Sequence, residues 1–256
     1  MDVALTEGDA IAAAQRQARI DLAAAHRLAV MHGLNEGIFN HLTLTVPGTT
    51  DRYYQIPFGL HWSEVTASCF MEVSFGGEVL AGEGHVEQSC YCIHAPIHRL
   101  VPQAACVMHT HMPFASALTR LKDMELKPIG QTEVGVLRKV AYDDDYAGPA
   151  FDPAEGERLA GLFGDKTVLF MANHGVAVVG RTVAQAYDML YYVERAAQVQ
   201  LYAMWTGKKL RELSPKIIER TKRNYSAPTY GDTPPWEWHF DALKRILDRR
   251  EPDYRD

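Results

Sequence analysis

Apolar positions recur with a helical period from Ile11 through Ala14, Ala18, Leu22, Ala25, Leu28 and Ala29, with Gln15, Arg16, Arg19 and Arg27 between them. This spacing predicts a helix that opens at Thr6 or Asp9 and stops before Gly33, a residue suited to a left-handed C-terminal position. The period then falls to two. Residues 41–46 (His-Leu-Thr-Leu-Thr-Val) alternate as a strand does, Pro47-Gly48 marks a turn, and Tyr53–Ile56 supplies a hairpin partner. β-Branched and aromatic residues between Glu64 and Phe75 run into a second hairpin turn at Gly76-Gly77. From Gln88 to Leu100 the pattern is helical again, and Cys106–His109 follows as a buried strand. Pro153 opens a short helix ending at Phe163, and strands are expected at Lys166–Met171 and Gly175–Val179. Thr182, with Gln185 three residues on, starts the longest helix, whose apolar stripe runs from Val183 to Met204 and closes at Gly207.

Helices at both ends, with hairpin-linked strands between, predict an α/β fold in which a mixed sheet is covered by helices. We expect one domain over 1–207 and a looser tail over 208–256. The tail carries Trp236, Trp238 and Phe240, then Leu243, Ile246 and Leu247 at helical spacing. These aromatics are costly to leave in water, so they are expected to cover the domain or a neighbouring subunit.

Composition narrows the function. Hydrophobic residues make up 47% and charged ones 23% of 256 residues, which suits a globular core. A formal net charge of −6 without a basic cluster argues against a nucleic-acid partner. No apolar run is long enough for a membrane span, and no secretory h-region is present, so a cytoplasmic protein is expected. The four cysteines (Cys69, Cys90, Cys92, Cys106) form no CxxC pair and read as reduced packing residues.

The candidate chemistry lies at strand ends. His109 and His111 close the run Ala104-Ala-Cys-Val-Met108, and side chains two apart on a strand share a face about 6.5 Å apart. His174 ends a second apolar run, Thr167-Val-Leu-Phe-Met-Ala-Asn173. Three imidazoles held in this way suit a divalent transition metal, with zinc first and manganese or iron as alternatives. His94 and His98, four apart on one helix face, are read as supporting or packing groups. The run Asp143-Asp144-Asp145 reads as a solvated turn.

The order His109-Thr-His111, then Asn173-His174-Gly175, then a strand and a long helix, resembles the class II aldolase/adducin family. The stretch Pro57-Phe-Gly-Leu-His-Trp-Ser-Glu-Val-Thr-Ala-Ser68 is especially similar to adducin heads and their bacterial relatives. The resemblance runs from about residue 17 to 206. It implies a three-layer α/β/α sandwich around a mainly antiparallel sheet, a homotetramer, a small-molecule substrate, and His109, His111 and His174 as metal ligands. It also exposes departures. Where family aldolases carry an acid/base glutamate, 19 residues before the first ligand, this chain has Cys90. A thiol does not replace a carboxylate simply. Glu87 is the nearest substitute, and Tyr146 matches a region where some relatives use a tyrosine. The positions that match the family's small polar phosphate-holding residues are His41, Phe58, Gly59, Gln88 and Ser89, of which only Gly59 and Ser89 keep that character. A non-phosphorylated hydroxy or keto acid is therefore the expected substrate. The expected reaction is decarboxylation or retro-aldol cleavage through a metal-stabilised enolate. A non-haem Fe(II) oxygenase on the same fold and a non-catalytic adducin-like interaction module are the alternatives.

Overall fold

The computed structural model of the chain describes residues 6–226 and 231–256. α1 (Glu7–Met31) starts where the Thr6 hydroxyl accepts from the Asp9 amide while the Asp9 carboxylate accepts from the Thr6 amide. Two otherwise unpaired donors are thereby satisfied. The helix ends ahead of Gly33, whose φ is +68°. A meander follows: β1 (His41–Thr45), β2 (Arg52–Gln55), β3 (Met71–Ser74) and β4 (Val79–Ala81). The apolar stretch leading into β3 is a 3-10 turn and loop rather than strand. α2 (Gln88–Leu100), β5 (Cys106–Thr110), α3 (Pro113–Leu118) and α4 (Gln131–Leu137) come next. Then follow β6 (Val140–Asp143), α5 (Pro153–Phe163), β7 (Val168–Met171), β8 (Val176–Gly180), α6 (Val183–Trp205), α7 (Pro215–Ser226) and α8 (Pro235–Arg250).

The eight strands form one sheet in the order β4-β3-β2-β1-β5-β8-β7-β6. All pairs are antiparallel except β6 with β7. Strand alternation sends side chains to two different layers. Leu42, Leu44, Cys106, Met108, Val176 and Val178 join the core beneath α1, α6 and α8. Val107, Ala177 and Val179 join the core beneath α2 and α5. The result is a three-layer α/β/α sandwich around a mainly antiparallel sheet. Residues 41, 43, 107 and 109 all point to the α2 side by this parity, which decides where the chemistry collects.

Phe240, Leu243 and Leu247 of α8, and Tyr254 after it, are buried in the same core as α1 and α6. Trp236 is partly buried there, whereas Trp238 stays about half exposed. The four cysteines are free thiols, three buried and Cys69 half-buried.

The aspartate run corrects the sequence expectation. Asp143 is no part of a solvated turn: it ends β6, pairs in register with Met171, and is 5% exposed. Its carboxylate receives two hydrogen bonds from the Arg158 guanidinium, at 2.9 and 2.7 Å. Only Asp144 and Asp145 face solvent.

The α2–α5 contact is unusually close, and it holds α2 against the sheet. Pro96 offers no N–H to the Cys92 carbonyl inside α2, and α5 approaches at that gap. A Cβ on Gly156 would lie 2.0 Å from the Cys92 oxygen and 2.8 Å from Pro96 Cγ. Two helix backbones would have to separate to admit it. Gly156→Ala is expected to cost about 3 kcal/mol, the upper end of ordinary overpacking. Chemical denaturation would read this as a lowered midpoint; an unchanged midpoint would mean the helices part freely.

Candidate metal centre

His109 is the fourth residue of β5, and the strand's end carries His111 past the sheet edge. His174 comes from the tight turn between β7 and β8. The three rings lie 4.8–5.0 Å apart centre to centre in edge-on arrangements. One ring nitrogen from each falls within 4.8 Å of the others.

Local backbone chemistry forces this convergence. Asn173 adopts φ +55° and Asn40 φ +74°, positions in the left-handed region that asparagine tolerates better than most residues. The Asn40 side-chain oxygen accepts from the His111 amide at 3.0 Å. Gly175 is required by space: a Cβ there would meet His111 Cδ2 at 2.7 Å and the Thr110 oxygen at 2.8 Å. Beyond His111, the Glu194 carboxylate of α6 accepts from the Phe114 and Ala115 amides, at 2.9 and 2.8 Å. It caps the first turn of α3 and sets the direction in which the chain leaves the site.

Hydrogen bonds select the ligating nitrogens. His109 Nδ1 donates to the Val176 carbonyl at 3.1 Å, and His111 Nδ1 faces the Glu36 carboxylate at 2.5 Å. Each ring then keeps its lone pair on Nε2, and His111 Nε2 is buried without a partner. Burial holds His174 neutral, with its pKa pushed down to about 4, and drives His109 well below the ordinary imidazole value. Converging imidazoles, two of them backed through Nδ1 by a carbonyl and a carboxylate, are the donor set a divalent cation needs. Glu36→Gln is expected to weaken zinc binding about tenfold, because the amide orients His111 without strengthening its basicity. Competition against a chromophoric chelator would show this; unaltered affinity would make Glu36 a bystander.

The residues around the centre divide into two groups. His41, opposite His109 in the β1–β5 register, stacks on it with ring centres 6.5 Å apart. Glu87 caps α2, accepting from the Cys90 amide and the Ser89 hydroxyl at 2.7 Å each, and its Oε2 lies 3.2 Å from His41 Nε2. Cys90 is fully buried behind it. Phe58 hydrogen-bonds the loop before α2 through its amide and the His85 carbonyl, and its half-exposed ring packs on Phe39. Gly59 follows with φ +99°. Gln88 turns away to the Phe151 carbonyl at 3.3 Å. Tyr146 sits on the other side, with its half-exposed ring 6.1 Å from His174.

Sequence reasoning overlooked Glu36, Asn40, Thr43 and Glu194. Each acts through partners more than 50 residues away, and no local pattern marks such a pairing.

The profile of the class II aldolase and adducin N-terminal domain matches residues 20–201. This chain belongs to that family. A Pseudomonas aeruginosa protein of the aldolase class 2 group is 32% identical over 96% of this chain and 94% of its own length. Alpha-adducin of Rattus norvegicus is 32% identical over 90% of this chain, which spans 33% of the adducin. Among solved structures, an aldolase II superfamily protein from Pseudomonas syringae superposes with a TM-score of 0.86 at 32% identity, over 94% of this chain and 96% of its own. The L-fuculose 1-phosphate aldolase of Glaciozyma antarctica shares the fold, with a TM-score of 0.83 at 22% identity, over 100% of this chain and 97% of its own. Both aldolases and adducins are among its relatives, and the family alone does not name a reaction. No helix among the described residues of this class II aldolase/adducin member is long and apolar enough to cross a membrane.

Proposed function

We propose that the protein is a metal-dependent carbon–carbon lyase that decarboxylates a small, non-phosphorylated 3-keto acid. The observation carrying this reading is the convergence of three imidazoles, with His109 and His111 held through Nδ1 and one ring nitrogen of each residue within 4.8 Å of the others. Zinc suits three such nitrogens, and when bound there it supplies Lewis-acid stabilisation to an oxygen on which negative charge develops.

The state of Glu87 favours decarboxylation over retro-aldol cleavage. Burial alone would raise its pKa, but the His41 ring, the Ser89 hydroxyl and the Cys90 amide together hold it down to about 2. At neutral pH Glu87 is therefore an occupied acceptor with no proton to give. It is also a poor base, since a carboxylate this acidic has little affinity for a substrate proton. Retro-aldol cleavage requires a base for the substrate hydroxyl. Decarboxylation does not: the bond to the carboxylate carbon breaks, carbon dioxide leaves, and the electron pair moves toward the neighbouring carbonyl as an enolate. The enolate carbon then takes a proton, and the half-exposed Tyr146 phenol, its ring 6.1 Å from His174, supports reading it as the donor. The exposed, apolar Phe58 ring where a phosphate would need a polar partner supports an unphosphorylated substrate.

The test is an assay of the zinc-loaded protein against a panel of 3-keto and 3-hydroxy acids and sugar 1-phosphates. Carbon dioxide release from a 3-keto acid and not from a 3-hydroxy acid is expected, with about 100-fold loss in Tyr146→Phe if the phenol is the proton donor. Cleavage of a sugar phosphate to two carbonyl fragments would reverse the reading.

A further inference from the structure

A second donor cluster lies on the α2 side of the sheet, next to the His109–His111–His174 centre but sharing no ligand with it. It consists of His41 on β1 and Cys90 and His94 on α2, all buried, with one donor atom from each within 4.8 Å of the others. Strand parity and helix spacing produce it. His41 and Thr43 point toward α2, while Cys90, His94 and His98 recur at four-residue intervals on the helix face that meets them.

Hydrogen bonding settles the state of His94. His98 Nδ1 donates to the Ala104 carbonyl at 2.8 Å, so its Nε2 is the acceptor of a neutral ring. The single Thr43 hydroxyl proton goes to that Nε2 at 2.8 Å, in preference to the Val107 carbonyl at 3.5 Å. Thr43 Oγ1 must then accept at its 2.7 Å contact, so His94 Nδ1 carries the proton. The chain of donors leaves His94 Nε2 with a bare lone pair, buried and without a partner. A fully buried acceptor in this condition is uncommon and needs an explanation.

His41 adds a second buried ring nitrogen: its Nε2 lies 3.2 Å from Glu87 Oε2, within ion-pair distance. Two ligands of one tetrahedral cation with bonds near 2.0–2.1 Å are separated by about 3.3 Å. The 3.2 Å between the nitrogen and the carboxylate oxygen is compatible with both atoms facing one cation.

We propose that His41, Cys90 and His94, with Glu87 beside them, form a second cation site that takes a thiophilic divalent metal, zinc foremost. Two imidazoles and a thiolate are a donor set that zinc prefers over magnesium, calcium or manganese. On binding, the Cys90 thiol gives up its proton to solvent and the sulfur bonds the metal, with no change of oxidation state. His94 Nε2 gains the partner it lacks. The Thr43–His98–Ala104 relay behind His94 orients the ring as outer partners do at metal sites. Cys90 then has a chemical role of its own rather than being a lost carboxylate or an inert filler.

This inference does not rest on the proposed reaction, since its donor set and its readout are separate. The protein is stripped of metal and titrated with Co(II), and a thiolate-to-cobalt charge-transfer band is followed in the near ultraviolet. The expected result is two equivalents bound, with the band present in the parent and in His111→Ala, which retains one equivalent. Cys90→Ser and His94→Gln should each lose the band and bind one equivalent fewer. The parent measurement needs no variant, so a variant that fails to fold leaves the test intact. A parent without the band, or one that binds a single equivalent wholly lost in His111→Ala, overturns the proposal and leaves Cys90 as a packing residue.

Discussion

His111→Ala is expected to lower the affinity of the main centre for zinc by at least about 100-fold and to abolish turnover with it. The ring contributes one of three donors, and outer partners alone are commonly worth 10–100-fold. Two features make the loss hard to recover. The Asn40 bond to the residue 111 amide survives the substitution, so the backbone stays in place and cannot move another donor inward. Glu36, freed from Nδ1, is exposed and gains nothing by bending toward the vacated position. Isothermal titration of the metal-free variant with zinc would measure the change, with thermal denaturation as the control for folding. Retention of tight binding at this centre and of activity would mean that the three histidines are packing partners, and the lyase reading would fall with them.

Acid should destabilise the fold steeply between pH 6.5 and 4, before the carboxylates are protonated in bulk. His26 is fully buried between Trp62 and Phe70, and burial pushes its pKa down to about 4. His98, enclosed by Thr43 and Ala104, is likewise pushed down to about 4. In the unfolded chain both rings titrate near 6.5. The unfolded state therefore binds more protons throughout that window, and stability falls as pH is lowered through it. The stabilisation is complete above pH 6.5 and is lost on approach to the folded value. Each ring is worth on the order of 3 kcal/mol at pH 4, so the pair approaches about 6 kcal/mol, a large share of ordinary domain stability. Urea midpoints at pH 7, 6, 5 and 4 would trace the slope. His26→Phe, which keeps an aromatic ring against Trp62, should remove about half of it. A flat profile would show that these rings exchange protons with solvent without unfolding.

Much of the architecture was legible along the chain because its signals are local. Thr6 with Asp9, Pro153, and Thr182 with Gln185 mark helix starts through bonds spanning three residues or fewer. α2 and α5 begin and end where the period predicted. α3, α4, β6 and α7 escaped notice. The first three are short and not bounded by clear turn signals, and α7 is mostly polar, so no apolar period stands out in any of them. The reading of Asp143 failed because its partners, Arg158 and Met171, arrive through tertiary packing. Glu87 was visible as the nearest carboxylate to the Cys90 position. Its engagement as a helix cap could not be read from composition, because it depends on where α2 begins.

By itself the sequence determined most of the elements, the alternation that puts His41 and Thr43 on one face of their strand, and the motif that joins this chain to the class II aldolases and adducins. Those are consequences of short-range periodicity and of residues adjacent in the chain. Only the tertiary structure decided which nitrogens of His94, His109 and His111 are held by hydrogen bonds, that Glu87 is a carboxylate already committed to its neighbours, and that Cys90 lies beside His41 and His94. Proton positions depend on partners brought from β1, α2 and β5 together. No local pattern encodes that three-way meeting, because a hydrogen bond is chosen by distance in space and not by separation along the chain.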